Sequence, residues 1–99
     1  MSRWYVARGF EVLDRNWRCA QGEIDLVLHR HGTVVFCEVK TRSSNRFGSP
    51  FEAVGRDKQR RLRRLAALWL AGRPASYPAV RFDVAAVTGA RVQVVEGAF

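Results

Sequence analysis

Two apolar segments joined by a short turn constrain the fold of this chain more than any other feature. The first covers residues 23–28 and the second residues 33–41, which are rich in Val and Phe. Between them lies the predicted turn His29–Gly32, in which Gly32 can adopt a positive φ. Because β-branched and aromatic residues favour strands, and because the two segments are so close, the sequence predicts an antiparallel β-hairpin.

The segments on either side of the hairpin predict further strands and two helices. Gly9 suits the C-terminal end of the first helix, and the polar loop 43–50 separates the hairpin from the second. The predicted elements, in chain order, are a helix end at Trp4–Arg8, strands at Phe10–Arg18, 23–28 and 33–41, a helix from about Pro50 to Ala71, and strands at Val80–Thr88 and Arg91–Val95. This order indicates an α/β fold.

The second helix has the clearest helical spacing in the sequence. Its apolar residues recur at i, i+3, i+4 and i+7 and predict a buried stripe of Leu62, Leu65, Ala66 and Trp69. Four arginines fall on the opposite arc, at positions 60, 61, 63 and 64. They either rest on a phosphate backbone or form a solvated helix face.

Length and composition narrow the class of protein. With 99 residues, 47% of them apolar, the chain can form one small domain over residues 1–99 with a thin core. No apolar run approaches the ~20 residues of a membrane span, and Met1–Phe10 contains no signal-peptide core. We therefore expect a cytoplasmic protein. Cys19 and Cys37 match no zinc-ligand spacing and are expected to be reduced residues in or near the core.

The charge favours a polyanionic partner. Seventeen Lys and Arg against nine Asp and Glu give a net charge of +8, and Lys40 and Lys58 are the only lysines. An excess of this size attracts nucleic acid, and arginine binds phosphate bidentately. The alternative explanation of the positive charge is that it serves solubility or reflects the composition of a GC-rich genome. A further alternative is that the domain binds an acidic protein.

Charged residues interrupt the two hairpin strands at a few positions. Residues two apart in a strand point the same way, which puts Glu23 and Asp25 on one face of the first hairpin strand and Glu38 and Lys40 on one face of the second. The apolar neighbours, Ile24, Leu26, Val35, Cys37 and Val39, then face elsewhere. Half-buried acids are uncommon unless they are paired or bind a cation.

A divalent metal ion is one explanation for these acids. Asp25 and Glu38 on adjacent strands would be ~5 Å apart and could share one Mg²⁺ or Mn²⁺. Lys40 on the same face would stabilise an attacking hydroxide or the charged phosphorane. This arrangement predicts in-line hydrolysis of a phosphodiester. The alternative is structural, with Glu38 and Lys40 as an ion pair and Asp25 paired with an arginine.

Other residues are weaker candidates for the same site. Glu23 and Gln59 are auxiliary candidates, and Lys58 lies near the helix start, where the positive end of the dipole favours phosphate. The full set of candidate nucleic-acid contacts is Arg42, Arg46, Lys58, Arg60, Arg61 and Arg64. Asp83 is expected to pair with Arg81 or another arginine as a structural contact. His29 and His31 are expected to be solvated turn residues.

Two motifs and several shorter matches give the chain a family resemblance. The motifs are Gly-Glu-Ile-Asp-Leu-Val at 22–27 and Phe-Cys-Glu-Val-Lys-Thr-Arg at 36–42. The shorter matches are Asn16-Trp17-Arg18, Gly48 with Pro50, Glu52-Ala53-Val54 before Lys58, Arg81-Phe82-Asp83-Val84, and Glu96 to Phe99. Together they resemble the YraN-like (UPF0102) family of small bacterial proteins over essentially the whole chain.

That family is similar to archaeal Holliday-junction resolvases and to the wider PD-(D/E)XK nucleases. The resemblance implies a restriction-endonuclease-like mixed β-sheet flanked by helices, with Asp25, Glu38 and Lys40 in the D…E-x-K positions. It also implies cleavage of DNA, with branched, Holliday-junction-like molecules as possible substrates, and a possible homodimer, as in related resolvases.

The N-terminal helix departs from the family pattern. Family members usually begin with a longer helix that carries a Gly-Glu pair, and the helix glutamate joins the metal site in related resolvases. Here Trp4–Ala7 matches only the end of that helix. Either the start is assigned wrongly, or the activity is impaired, or Glu23 compensates. The resemblance therefore leaves two hypotheses, a metal-dependent endonuclease and a nucleic-acid-binding module that keeps the nuclease fold without turnover.

Overall fold

A mixed sheet with a helix on each face organises the chain. The computed structural model describes residues 1–42 and 54–99, and for Arg42 the backbone alone. In this part of the chain the elements are α1 (Ser2–Val6), β1 (Glu11–Cys19), β2 (Gly22–Arg30), β3 (Thr33–Arg42), α2 (Arg56–Ala71), β4 (Ala79–Thr88) and β5 (Arg91–Val95). The strands form one sheet in the order β1-β2-β3-β4-β5. The restriction-endonuclease-like α/β class with a short N-terminal helix is confirmed.

The predicted hairpin is present, with a tighter turn than expected. β2 and β3 pair antiparallel from Leu26↔Cys37 to Arg30↔Thr33. The turn consists of His31 and Gly32, with φ values of 49° and 79°. Our prediction that the turn begins at His29 was wrong, because two positive φ values give the two-residue turn whose twist matches that of the strands.

The rest of the sheet combines antiparallel and parallel pairing. β1 pairs antiparallel with β2, and β5 pairs antiparallel with β4 across the predicted turn. β3 and β4 are parallel over ten residue pairs, from Thr33↔Ala79 to Arg42↔Thr88. Parallel neighbours need a long crossover connection, and α2 lies within this one. The crossover brings the start of α2 near the carboxyl end of β3.

Each face of the sheet packs against one helix. On the α2 face, the predicted stripe of the helix is buried against Ile24, Val27, Val34 and Phe36. On the other face, Tyr5 of α1 and Phe10 are buried against Leu26, Leu28, Val35, Cys37 and Ala85. Both faces of the central strands are therefore covered, which explains the continuous apolar run Val34–Cys37 in β3.

The helix boundaries differ from the sequence prediction. α2 begins at Arg56, with Gly55 in an extended conformation as its N-cap, so the predicted start at about Pro50 was wrong. The apolar stripe itself begins only at Leu62 and does not define the first turn. Residues 43–53, with the whole of the predicted polar loop, lie outside the described part of the chain. Within the described ranges, no helix is long and apolar enough to cross a membrane.

Candidate functional site

Asp25 lies where β2 and β3 part. The pairing of the two strands runs only as far as Leu26↔Cys37. One residue further, a side chain replaces the backbone as the partner of β3: Oδ2 of Asp25 accepts a hydrogen bond of 2.8 Å from the backbone N–H of Val39. The carboxylate therefore satisfies a donor that a continued ladder would have paired, and it holds the two strands at a fixed separation.

The regular alternation of β2 breaks at the same residue. Ile24 packs in the core beneath α2, whereas Leu26 packs in the core beneath α1. Our prediction that these two side chains share a face was wrong, because it assumed an unkinked strand. On the neighbouring strand, Asn16 has a φ of 50° between the pairs Arg15↔Leu26 and Trp17↔Ile24. Asparagine is one of the non-glycine residues that adopt a positive φ most readily, and here the irregularity lies beside the candidate site.

Glu38 is held between two ammonium groups on the α2 side of the sheet. Val34 and Phe36 pack against α2, and Glu38 and Lys40 continue that face of β3. Lys58, in the first turn of α2, has its Nζ 2.6 Å from Glu38 Oε1, and Lys40 Nζ lies 3.9 Å from the same oxygen. The Glu38 side chain is only 12% exposed. Glu38 and Lys40 therefore lie close together, as predicted, with Lys58 as a third member.

The charges around Asp25 disfavour its ionised form. Burial raises the pKa of the Asp25 carboxyl, and the nearby charges of Glu38 and Glu23 raise it further. The Val39 N–H and the Lys58 ammonium lower this pKa, but the balance leaves it above its ordinary value. Asp25 and Glu38 are therefore close enough for the charge of one to act on the other.

The ammonium of Lys58 belongs to the same electrostatic group. Burial lowers the pKa of Lys58, but the contact with the Glu38 carboxylate raises it, and the net result is above the ordinary value. Lys58 is therefore charged at neutral pH. The ion pair with Glu38 is partly shielded from water, since the Lys58 side chain is 24% exposed.

The donor set fits a hard divalent cation that keeps much of its own water. Asp25 and Glu38 supply carboxylate oxygens, and Oδ2 of Asp25 also accepts the hydrogen bond from Val39. Mg²⁺ is commonly held by one or two carboxylates together with a substrate phosphate. Across residues 1–42 and 54–99, no group of three or more His, Cys, Asp or Glu side chains is placed to hold a metal.

An open cavity adjoins Asp25 on the α1 side of the sheet. Its volume is about 420 Å³, and its walls include Ser2, Arg15, Asn16 and Thr41 besides Asp25 itself. The walls are mixed polar and apolar, with Met1, Leu26 and Val39 as the apolar part. Asp25 can therefore be reached by a solute of substantial size.

The auxiliary candidates make contacts of their own. Glu23 forms an ion pair of 3.0 Å with Arg18 on the adjacent strand. The Gln59 side chain donates to the Val54 carbonyl at 3.2 Å, just before the N-terminus of α2. Neither residue joins Asp25 and Glu38 directly, although the charge of Glu23 acts on Asp25.

The predicted basic residues divide between α2 and the region outside the description. Arg60, Arg61 and Arg64 are exposed on α2, as the helical pattern predicts. Arg60 has an exposed ion pair with Asp57 at 3.7 Å, and such pairs contribute little to stability. Arg46 and the side chain of Arg42 lie outside the described residues.

Asp83 is a structural acid, as predicted. Asp83 is only 1% exposed. Arg81 donates hydrogen bonds to both of its carboxylate oxygens, at 2.8 and 2.9 Å. The Tyr5 hydroxyl donates to Oδ2 at 2.7 Å, and the Gly97 N–H donates to Oδ1 at 3.0 Å. The network is internally satisfied and ties α1 to β4 and to the C-terminal segment.

The two cysteines are unpaired core or near-core residues, which confirms the prediction. Cys37 is buried and Cys19 is half-buried. Burial raises the pKa of the Cys37 thiol to about 12, so the reactive thiolate is suppressed at neutral pH.

Comparison with known proteins identifies the family of the chain. The family model described as "Uncharacterised protein family UPF0102" matches residues 1–87. The chain belongs to the UPF0102 family. A UPF0102 protein of Frankia alni is 53% identical over 103 residues, with 99% of this chain and 86% of the relative covered. A UPF0102 protein of Beutenbergia cavernae is 58% identical over 89 residues, with 90% of this chain and 75% of the relative covered.

Sequence reasoning did not foresee that Lys58 binds Glu38. It treated Lys58 as a phosphate contact at the start of α2. One signal was available in this UPF0102 protein, since Lys40 and Lys58 are its only lysines among 17 basic residues. Both meet at Glu38, where a compact ammonium, rather than a planar guanidinium, contacts the carboxylate.

Proposed function

We propose that this UPF0102 protein is a metal-dependent endonuclease that hydrolyses phosphodiester bonds in nucleic acid, with DNA as the first substrate. One observation carries the proposal. Asp25 is fixed in the opening between β2 and β3 by the Val39 N–H, beside Glu38 and Lys40 at the end of the next strand. The ionised form of half-buried Asp25 is disfavoured, and a bound cation would remove that cost, which supports a functional role for the acid.

Each residue has a definable role in this proposal. Asp25 and Glu38 hold Mg²⁺ or Mn²⁺, which supplies positive charge at the phosphodiester and lowers the pKa of a water molecule. Lys40 places its ammonium where negative charge develops on the phosphoryl oxygens. The hydrogen bond from Val39 fixes the orientation of the Asp25 carboxylate before substrate binds. Such preorganisation lowers the cost of reaching the transition state.

The surface charge supports a nucleic-acid substrate. The chain has a net charge of +8, and exposed arginines of α2 extend from the turn that carries Lys58. A nucleic-acid backbone that lies along this helix would pass close to Glu38, because Lys58 belongs to the helix and contacts that acid. Arginine forks bind phosphates without reading the base sequence.

Cleavage assays with matched variants test the proposal. Branched, single-stranded and duplex DNA are incubated with wild-type protein and Mg²⁺ or Mn²⁺, and in parallel with Asp25→Asn and Glu38→Gln. Glu11→Gln removes an exposed acid on β1 and serves as the matched control. We expect metal-dependent cleavage by the wild type and the control, with a loss of about 100-fold or more in both site variants. Equal activity in all four proteins would end the proposal.

A non-catalytic nucleic-acid-binding module is the second candidate. Two observations favour it: the described residues include no third acid at the site, and Lys58 already neutralises Glu38. In that case all four proteins bind DNA and none cleaves it. The same preparations in size-exclusion chromatography test the homodimer that we propose from the resemblance to resolvases.

A further inference from the structure

Lys58 competes with a metal ion for Glu38. Its ammonium lies 2.6 Å from Oε1 of Glu38, and Lys40 approaches the same oxygen at 3.9 Å. Any divalent cation that Glu38 binds must therefore lie next to one or two ammonium groups. Like charges at such short separation repel strongly where water is partly excluded. Binding of the metal to the protein alone is consequently weakened for as long as Lys58 stays in place.

A phosphate group offers Lys58 another partner. The backbone of Lys58 is fixed in the first turn of α2. Its side chain has a flexible four-carbon stem and is 24% exposed. Arg60 and Arg61, two and three residues further along the helix, are exposed. A nucleic-acid backbone that binds these arginines brings its phosphates within reach of the Lys58 ammonium. When the ammonium turns to a phosphate, Glu38 loses the nearer of the two ammonium groups beside it.

We propose that Lys58 couples metal binding to nucleic-acid binding by leaving Glu38 for a backbone phosphate, so that each ligand raises the affinity of the protein for the other. This inference rests on the proposed metal site. Linkage requires the effect to be reciprocal: the factor by which DNA tightens metal binding equals the factor by which metal tightens DNA binding. Lys58 is thus a positioning residue that keeps the metal site weak until substrate arrives.

The coupling is measured by metal titration with the full chain. Mn²⁺ is titrated into the wild-type protein, followed by calorimetry or by the electron paramagnetic resonance of free Mn²⁺, with and without a phosphorothioate DNA hairpin. Titrations of the hairpin alone are subtracted. We expect the dissociation constant for Mn²⁺ to fall about tenfold when the hairpin is bound, within the usual range of coupling. The reciprocal measurement, DNA affinity with and without Mn²⁺, is expected to give the same factor.

Two variants locate the coupling in Lys58. Lys58→Met is expected to bind Mn²⁺ about as tightly without DNA as the wild type does with DNA, and to retain little coupling. Arg56→Met removes the same charge from an exposed position on the same helix and is expected to keep the tenfold difference. Circular dichroism checks that both variants fold, and the reciprocity in the wild type is a test that needs no variant.

The possible results separate this inference from the proposed function. If the wild type binds Mn²⁺ equally with and without the hairpin, the coupling is refuted while the metal site stands. The inference also fails if Lys58→Met binds Mn²⁺ more weakly than the wild type, since Lys58 would then support the site. Absence of Mn²⁺ binding under both conditions would overturn the metal site and the coupling together.

Discussion

The carboxylate of Asp25 accepts a hydrogen bond of 2.8 Å from the backbone N–H of Val39, across the opening between β2 and β3. Asp25 therefore has a structural contact and an electrostatic cost at the same time. The contact needs only an acceptor oxygen, whereas the cost comes from the negative charge beside Glu38 and Glu23. The two can be separated by a substitution that keeps the oxygen and removes the charge.

Asp25→Asn is expected to stabilise the protein while abolishing metal binding. The amide oxygen can still accept from Val39, and the unfavourable charge is gone. After allowance for solvent screening, we expect the free energy of unfolding to rise by up to about 1 kcal/mol at about pH 7, and Tm by up to about 4 °C. Thermal denaturation followed by circular dichroism measures it, with Glu11→Gln as a control that changes Tm little.

The gain from Asp25→Asn is expected to depend on pH. Because the pKa of Asp25 is raised in the folded chain, folding favours its protonated form, and the ionised carboxylate costs stability as the pH rises through the folded pKa. The gain should therefore disappear as the pH falls below 3.8, the ordinary value for this carboxyl. A gain that grows toward acid would contradict the assigned direction of the shift.

Metal affinity is expected to fall on acidification at a higher pH than for an ordinary aspartate site. Protons compete with the metal for Asp25, and burial raises the pKa of that carboxyl. Titrations of Mn²⁺ at decreasing pH, in buffers of different ionisation enthalpy, would detect protons released on binding. No released protons and constant affinity down to the ordinary range of aspartate would show that Asp25 is not a ligand.

DNA binding is expected to depend steeply on salt through α2. Each phosphate that an arginine neutralises contributes about 0.9 to the slope of log K against log salt for duplex DNA. Single Arg60→Gln, Arg61→Gln and Arg64→Gln variants should each lower the slope by about 1 if they contact phosphate. Arg8→Gln, near the hairpin-turn end of the sheet, is the matched control, since Arg30 of β2 donates to the Arg8 carbonyl there. Equal slopes in all variants would assign the DNA contact to another surface.

The network around Asp83 is expected to govern stability. Asp83→Ala leaves Arg81 without its buried partner and should cost about 3–5 kcal/mol. Tyr5→Phe removes one hydrogen bond to a charged group and should cost about 1.5–3 kcal/mol. Glu96→Gln, at the exposed end of Arg81, should change stability by less than about 1 kcal/mol. Urea denaturation measures all three, and equal effects would contradict the assignment of Asp83 as the centre of the network.

Local patterns were sufficient to predict most of the fold. The stripe of Leu62, Leu65, Ala66 and Trp69 is buried as the helical period required, and the hairpin forms where strand propensity and Gly32 predicted it. Each prediction depended on residues only a few positions apart. The start of α2 was placed too early because no apolar residue marks its first turn, and the N-cap, Gly55, is extended.

The candidate site was predictable in its members but not in its geometry. Alternation grouped Glu38 with Lys40 correctly, since β3 is regular there. It failed between Ile24 and Leu26, because a period of two cannot reveal a kink that arises when one strand leaves its partner. The contact of Lys58 with Glu38 joins residues on two elements and depends on how the crossover places α2, which no local pattern encodes.

The hydrogen bond from Tyr5 to Asp83 joins groups 78 positions apart in the chain. During synthesis, α1 emerges before β4, and the hydroxyl of Tyr5 meets its acceptor Asp83 only when β4 has been made and paired with β3. The face of the sheet beneath α1 therefore closes only after β4, with Asp83, has been released from the ribosome. Until then Tyr5 and Phe10 remain accessible to chaperones, and the late arrival of β4 makes completion of this face a slow, non-local step.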